Sequence, residues 1–469
     1  MPDSLIADQK SLTDQLLTRV KNSPLLKRVL GGSLWMLFGG VLSSAVRLAT
    51  GVVMARILGG DGYGKLGVIM ATIAMFTAFA GFGIGGTATR YVSKYRNENP
   101  RRACEILKLA NIAAMMTALV GCGVLLAFGP NLSKDIFVNS DLLFEFNICA
   151  IIIFFITING AQIGCLQGCE AFKASSIVAC VTDILIVLLM VSGAYIAGVR
   201  GAVIGNAIGW AIRWGTYFVA SRRVLRACDL NEVVSAKDSL KSYPVLLKFS
   251  LPSFLCNILI MPINFTLMAL LTQSGHAYLE VGIYNISNQW RFAILFVPTA
   301  VMSAVLPVMS NTLGAKRYGS YNKVLLLTIL GMLAGVGVLV VVLGGGSPWI
   351  AWMYGEKYVG TGLVAILLMT FMVGGLDAVN RIAGIDMMCH NRVWVGVGFC
   401  VVLSGVVIGC GYMFADEGAM GIMKALLIGY LVHTLNQAVY LAYSYMKTRG
   451  EAVRQLCGVE ERVVMKEGV

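Results

Sequence analysis

The sequence alternates between long apolar runs and short polar segments over most of its length. Each apolar run holds about 20 to 28 residues and ends at a segment that carries charged residues, Gly or Pro. At a rise of about 1.5 Å per residue, a helix of this length crosses a hydrocarbon layer of about 30 Å. The pattern predicts an all-α, polytopic membrane protein with twelve transmembrane helices. The runs cover residues 34–58, 66–89, 106–128, 143–166, 174–197, 201–221, 247–271, 281–305, 322–345, 362–385, 393–414 and 418–445.

Basic residues are concentrated in alternate segments between the runs and at both ends of the chain. Five lie between the second and third runs, whereas the segments on either side of that pair hold single basic residues. Cytoplasmic loops of membrane proteins carry an excess of Lys and Arg. The alternation therefore predicts an even number of crossings, with both chain ends in the cytoplasm.

The longest internal polar segment divides the runs into two sets of six. A short match relates the two sets, because YGKLGV at Tyr63–Val68 resembles YLEVGI at Tyr278–Ile283. Six crossings per half give both halves the same orientation, as in transporters built from parallel repeats. We expect two six-helix lobes around a central cavity. The predicted division is an amphipathic segment or solvated tail over 1–30, a lobe over 31–222, a cytoplasmic linker over 223–246, a lobe over 247–446 and a cytoplasmic tail over 447–469.

The composition narrows the class of protein further. Hydrophobic residues make up 57% and charged residues 13% of the chain, whereas soluble domains carry about 25% charged residues. The basic residues belong to short loops, so nucleic acid is not expected as a partner. The twelve cysteines form no CxxC pair, and the chain has no GxxxxGK[ST] phosphate loop and no motif of a catalytic nucleophile. We expect no enzyme activity, no metal site and no cofactor.

Ionisable residues inside the predicted membrane helices are the candidates for function, because charge at that depth is unfavourable unless it faces protein or water. Arg47 lies near the middle of the first run. Structural alternatives exist, such as an ion pair of Asp183 with Arg47 or Arg213. Asp377 and Arg381, four residues apart, are able to neutralise each other on one helix. The full set is Arg47, Glu145, Asp183, Arg213, Arg291, Asp377, Arg381, Lys424 and His433.

Arginines outnumber aspartates at mid-membrane depth by four to two. Carboxylates therefore cannot neutralise all of them, and the planar fork of Arg binds phosphate oxygens well. Arg291 also follows a polar stripe that contains Asn285 and Asn288, and Asn257 lies on a polar face of the run before it. A cationic cavity for an anionic solute is expected. The predicted substrate-binding residues are Arg47, Arg291, Arg213, Asn285, Asn288 and Asn257, and the candidates for coupling to proton or sodium flow are Asp183 and His433.

Two regions predict bends in the helices. Pro252 and Pro262 interrupt the seventh run, and four glycines lie within residues 81–86 at the end of the second. Pro frees a backbone carbonyl and clashes with the preceding turn, and Gly is common at kinks. Such positions suit helices that move during transport.

Three segments resemble a known transporter family. ARILGGDGYGKLGVIM (55–70) and AGFGIGGTATRYVSKYR (80–96) are similar to the start of polysaccharide repeat-unit flippases of the Wzx type, which serve O-antigen, capsule or exopolysaccharide synthesis. LQGCEAFK (166–173) and the plan of twelve runs fit the same family. These flippases belong to the multidrug/oligosaccharidyl-lipid/polysaccharide exporter superfamily.

The resemblance implies a two-lobed bundle in a bacterial inner membrane that moves undecaprenyl-diphosphate-linked oligosaccharide to the outer leaflet. In related flippases of peptidoglycan precursors, essential arginines lie in the first and eighth spans, which here contain Arg47 and Arg291. The resemblance therefore implies a diphosphate-binding role for both. The expected partners are the lipid-linked anionic oligosaccharide and membrane lipid, with glycosyltransferases and a polysaccharide polymerase as further candidates.

Two alternatives stay open at this point. A cation-coupled small-molecule exporter of the multidrug type would depend on an acidic residue such as Asp183, although the surplus of positive charge argues against a cationic drug. A scaffold without transport would organise glycosyltransferases through the basic tails and the central segment. Such a scaffold would tolerate the loss of Arg47 and Arg291.

Overall fold

Helices form every regular element in the part of the chain that the computed structural model describes, namely residues 24–230, 232, 234–240, 243, 262–275, 278–355, 358 and 360–467. This confirms the all-α prediction. The helices are α1 Pro24–Gly81, α2 Ile84–Tyr95, α3 Pro100–Asn131, α4 Leu143–Gly168, α5 Phe172–Ala227, α6 Ala236–Leu240, α7 at residues 262–273, α8 Tyr278–Ile294, α9 Phe296–Gly314, α10 Tyr318–Gly345, α11 Ser347–Tyr354, α12 Leu363–Cys389, α13 Val393–Phe414 and α14 Gly418–Glu467.

Within these residues, seven continuous helical stretches are long and apolar enough to cross a membrane. Several of them contain more than one predicted crossing. The α1 helix is interrupted at Gly59, where a φ of 70° allows the chain to reverse, and α5 is interrupted at Ala197 and Gly198. In α5 the two arms pack together through Gly193 and Gly201. The number of twelve crossings and the division into lobes remain predictions.

The glycine-rich end of the second apolar run is a break in the helix, which confirms the predicted bend. Phe82 and Gly83 have φ values of 41° and 65°, so α1 ends at Gly81 and α2 begins at Ile84. α2 buries Ile84, together with Ala88 and Val92, and leaves its charged residues on the other side.

The eighth apolar run, 281–305, forms two helices, which the apolar pattern did not predict. The α8 helix ends at Ile294 and α9 begins at Phe296. Pro298 explains the boundary, because its ring clashes with the carbonyl of the residue four positions earlier, Ile294.

Described parts of the central segment and of the predicted tail pack on helices or are helical themselves. Leu230 and Val234 are buried against α3, and the Lys108 ammonium donates to the Val234 carbonyl at 2.5 Å. The α14 helix continues to Glu467, through most of the predicted tail. The amphipathic segment before Pro24, as well as Pro252 and Asn257, lie outside the described residues.

The two matching sequence segments pack directly against each other. A Cβ built on Gly64 would lie 1.8 Å from the Tyr278 carbonyl oxygen, and one built on Gly282 would lie 2.9 Å from the Gly60 carbonyl oxygen. Only glycine permits such close approach of two helix backbones. The two matching segments therefore lie in one helix–helix contact, and the predicted repeat remains a prediction.

The end of the molecule that contains this contact is called the distal end below. It also contains the reversal at Gly59, the segment 132–142 and α11. The opposite end, which contains the break at Phe82 and the helix α6, is called the proximal end. Successive helices run in opposite directions, so the turns between them fall alternately at the distal and the proximal end.

Candidate functional site

The site is built around a contact between α1 and α8. The Gln289 side-chain amide donates to the Arg47 backbone carbonyl at 2.6 Å. The Gln289 carbonyl oxygen accepts hydrogen bonds from Tyr63 at 3.4 Å and from Tyr354 at 3.2 Å. The absence of a side chain at Gly51 makes room for this amide, because a Cβ there would lie 2.0 Å from the Gln289 Oε1. The two halves of the chain are thus joined at mid-depth.

Further hydrogen bonds join the two halves at the distal end. The Arg56 guanidinium donates to the Met353 carbonyl at 2.7 Å. The Tyr278 hydroxyl donates to the Phe137 carbonyl at 2.7 Å, and Thr272 donates to the Ile136 carbonyl at 3.2 Å. Among the described residues, hydrogen bonds between the two halves occur only from mid-depth to the distal end, where Gln273 also approaches the Asp135 carbonyl at 3.5 Å.

Arg47 and Arg291 lie at nearly the same level, one on each side of this contact. Gln289 touches the backbone of Arg47, and two residues along a helix advance it by only about 3 Å. The Arg47 side chain is exposed and donates to Ser44 at 3.0 Å. Within the described residues neither arginine forms an ion pair with a carboxylate.

Arg213 and Asp183 form an ion pair inside the N-terminal half, which is the structural alternative that the sequence left open. Ser43 donates to the same carboxylate. The Arg213 guanidinium also lies over the Trp210 ring, 4.9 Å from its centroid. Asp183 and Arg213 are therefore already partnered, and they lie one turn of α1 away from Arg47 through Ser43.

Arg291 is buried in the C-terminal half, with only 9% of its surface exposed. It donates to the Asn288 side-chain oxygen at 2.9 Å and to the Tyr430 hydroxyl at 3.4 Å. Its Nε has no hydrogen-bond partner among the described residues. Two nitrogens are thus held by neutral groups, and the positive charge itself is not neutralised by direct contact.

Asp377 and Arg381 lie beside Arg291. The Tyr430 hydroxyl donates to the Asp377 carboxylate at 3.3 Å while accepting from Arg291. Arg381 approaches the other oxygen of that carboxylate at 3.9 Å, which is long for a charge-assisted hydrogen bond. The predicted pairing of Asp377 with Arg381 is observed, but it is loose.

The remaining sequence candidates within the described residues form other contacts, and His433 lies beside Tyr430, with 6.4 Å between the ring centroids. Asn285 packs against Gly67 in the contact between the halves. His433 is buried and contacts Gln437 at 2.6 Å, in the half opposite to Asp183. The other two intramembrane charges have partners near the distal end, where Lys424 pairs with Glu417 and Glu145 pairs with Arg200.

Tyr354 and Tyr430 are parts of the site that the sequence pattern did not indicate. Both are buried tyrosines whose hydroxyl groups link charged or amide side chains. An aromatic residue in an apolar run is ordinarily a packing residue. Only the neighbours that the fold brings to the hydroxyl group distinguish these two from other tyrosines of the chain.

Comparison with known proteins places this arrangement in a family. A family model described as polysaccharide biosynthesis protein matches residues 29–313, more than half of the chain. No curated protein sequence matches the chain significantly.

Several solved structures share the fold. An inward-facing multidrug resistance transporter of the MATE family, in the MOP superfamily, has a TM-score of 0.72 at 14% identity, with 87% of this chain and 95% of that chain covered. An outward-facing transporter of the same description has a TM-score of 0.66 at 14% identity, with 91% and 96% covered. A MOP superfamily transporter from Pyrococcus furiosus Vc1 (DSM3638), whose binding pocket is described as having reverse polarity, has a TM-score of 0.65 at 13% identity, with 90% and 96% covered.

The matched residues, the helical architecture and the structural similarity agree with one another. The sequence expectation of a superfamily member is therefore confirmed. The chain belongs to the polysaccharide biosynthesis protein family, and it is a multi-pass membrane protein with the fold of MOP superfamily transporters.

Proposed function

We propose that this protein is a flippase that moves undecaprenyl-diphosphate-linked oligosaccharide repeat units across the bacterial inner membrane by alternating access. The observation that carries the proposal is the pair of arginines, Arg47 and Arg291, at one level on either side of the α1–α8 contact. Neither has a carboxylate partner among the described residues. A diphosphate offers several anionic oxygens that suit two guanidinium groups.

The charge distribution supports an anionic rather than a cationic substrate. Of the four arginines at mid-depth, Arg213 and Arg381 face carboxylates, and these two pairs account for Asp183 and Asp377. The surplus positive charge therefore belongs to Arg47 and Arg291. A lipid-linked diphosphate would place its head group there while its polyprenyl chain stays in the bilayer.

The contacts between the halves support the transport cycle. The hydrogen bonds at the distal end describe a state closed at that end. With cytoplasmic chain ends, the proximal end is cytoplasmic. The substrate would enter from the proximal end, and rocking of the halves would then separate the distal contacts.

Deletion of the gene in the native host tests the proposal. Lipid-linked repeat units are expected to accumulate on the cytoplasmic face while surface polysaccharide is lost. Complementation with Arg47→Ala or Arg291→Ala is expected to restore less than about a tenth of the surface polysaccharide, because each removes a charge that binds the diphosphate. Unchanged polysaccharide without accumulation in the deletion strain would overturn the flippase.

Arg101→Ala is the matched control for these variants. Arg101 is an exposed arginine at the start of α3, and its ion pair with Glu105 is a surface pair on one helix. Surface pairs contribute little to stability. Full complementation by Arg101→Ala, at an equal amount of protein in the membrane, is expected.

A multidrug-type exporter is the second candidate, because two of the structurally similar proteins are described as multidrug resistance transporters. Such an exporter would require Asp183 to accept cations. Efflux of a cationic dye that stops in Asp183→Asn, with surface polysaccharide unchanged on deletion, would favour this candidate over the flippase.

A further inference from the structure

Asp377 contacts, directly or through one hydroxyl group, both mid-depth arginines of the C-terminal half, Arg291 and Arg381. Its Oδ1 faces Arg381 Nε at 3.9 Å, and its Oδ2 accepts from Tyr430, which in turn accepts from Arg291. The carboxylate belongs to α12, Arg291 to α8 and Tyr430 to α14. Three helices thus meet at one negative charge and two positive charges.

These charges are incompletely matched. Arg291 is 9% exposed and its Nε lacks a hydrogen-bond partner among the described residues, as does the buried Nε of Arg381. A purely structural ion pair in a site of low polarity is expected to have short, bidentate contacts. The long contact of Asp377 and the indirect link through Tyr430 leave donor capacity on both guanidinium groups.

The cluster is also accessible. The side chain of Asp377 is 21% exposed and that of Arg381 is 37% exposed, so an anion reaches the cluster at these two residues, whereas Arg291 itself is buried. A carboxylate and a phosphate bind arginine through the same planar arrangement of oxygens. They therefore compete for the same donors.

We infer that Asp377 is a resident counter-anion, which balances Arg291 and Arg381 when the site is empty and competes with the diphosphate for these two arginines. This inference rests on the proposed function, because it assigns a role to a residue beside the same site. The carboxylate weakens substrate binding and promotes release of the head group after the halves have rocked. Asp377 thereby limits affinity in favour of turnover.

Two diphosphates test the inference on the purified full-length protein, namely farnesyl diphosphate and inorganic pyrophosphate, each measured by calorimetry at one ionic strength. Asp377→Asn keeps the size of the side chain and removes its charge. We expect this variant to bind farnesyl diphosphate about five- to tenfold more tightly than the wild type, because a nearby like charge is lost. Tighter binding of pyrophosphate as well would identify the diphosphate, rather than the isoprenoid chain, as the group in competition. A gain confined to farnesyl diphosphate would overturn competition at the diphosphate.

Asp377→Glu and Arg291→Ala complete the design. Asp377→Glu retains the charge and is expected to keep the affinity of the wild type, whereas Arg291→Ala is expected to lose at least tenfold. Asp377→Asn should also restore less surface polysaccharide in the deletion strain, because tight binding slows release. A structural residue would not raise affinity when it is replaced.

The outcomes separate the inference from the proposed function. If the wild type binds and Arg291→Ala does not, but Asp377→Asn binds no more tightly than the wild type, the competing role of Asp377 is wrong and the diphosphate site stands. If the wild type binds neither diphosphate, both are overturned. If Asp377→Asn elutes as an aggregate, Asp377→Glu decides. Affinity for diphosphate equal to that of the wild type supports the need for the charge, and higher affinity contradicts it.

Discussion

The side-chain amide of Gln289 donates a 2.6 Å hydrogen bond to the backbone carbonyl of Arg47, 242 positions away in the sequence. A mid-helix carbonyl normally accepts from the amide four residues later, so this second donor fixes the level of α8 against α1. The relationship brings Arg47 and Arg291 to a common depth. It also makes α1 and α8 the elements whose separation would open the distal end.

Closure of the distal end is expected to depend on the absence of a side chain at Gly64. In Gly64→Ala, the new Cβ would lie 1.8 Å from the Tyr278 carbonyl, so the helices must separate there. We expect complementation to fall at least about tenfold, since separated helices lose their packing and hydrogen bonds. Gln273→Cys, added to the variant, should react faster with a membrane-impermeant maleimide than it does in the parent protein.

Gly123→Ala is the control for this substitution. A Cβ at Gly123 in α3 would meet no atom within 4 Å, so full complementation and an unchanged rate of Gln273→Cys labelling are expected. Normal transport by Gly64→Ala would contradict the requirement for close helix contact.

A cross-link across the distal end is expected to stop transport reversibly. Gln273 approaches the Asp135 carbonyl at 3.5 Å, and both side chains are exposed. Asp135→Cys with Gln273→Cys, joined by a short reducible thiol cross-linker, should abolish transport because the distal end cannot open. Reduction should restore it. Transport that persists in fully cross-linked protein, as measured by peptide mass spectrometry, would exclude opening at this end, and each single substitution serves as a control.

The Asp183–Arg213 pair is expected to be structural. Asp183→Asn leaves a partly buried guanidinium without its carboxylate and should lower the free energy of unfolding by about 3 kcal/mol, measured as thermal stability in detergent. Asp183→Leu combined with Arg213→Leu should recover most of that loss, because no unpaired charge remains. A stable double variant that does not transport would instead show that the pair takes part in transport.

The contribution of His390 to stability is expected to fall as pH rises. His390 follows α12, and hydrogen bonding to Asp386 raises the pKa of its imidazole above the ordinary value of 6.5. A raised pKa in the folded state stabilises the protein fully below that ordinary value, and the effect disappears as pH passes the raised pKa. His390→Gln should therefore lower the melting temperature by roughly 1 to 2 °C more at about pH 5.5 than at about pH 8.5. A larger difference at the higher pH would contradict the pairing.

Several features of the fold were predictable from local sequence. Apolar runs of membrane length predicted the helices, and the run 393–414 matches α13 at both ends. The glycines near Phe82 predicted a break, because glycine has no Cβ and readily adopts the positive φ of a left-handed turn. The match between YGKLGV and YLEVGI predicted related segments, which the structure places against each other.

The site was predictable only in part. The charge count predicted that some arginines lack a carboxylate, yet it did not identify which ones. From the sequence, Asp183 was equally able to pair with Arg47 or with Arg213. The two arms of α5 pack together, and this packing brings Arg213 to the carboxylate. Asn285 lies on the same polar stripe as Arg291 but packs against Gly67.

The sequence alone determined which segments lie in lipid and which in water, because the transfer of side chains to lipid depends on composition and length. It also determined the sign of the surplus charge at mid-depth. The tertiary structure decided which charges neutralise one another, since an ion pair depends on a few ångströms between helices distant along the chain. In the folded protein, Asp183 pairs with Arg213, and Tyr430 links Asp377 to Arg291. The contact of Gln289 with the backbone of Arg47 aligns Arg291 with Arg47.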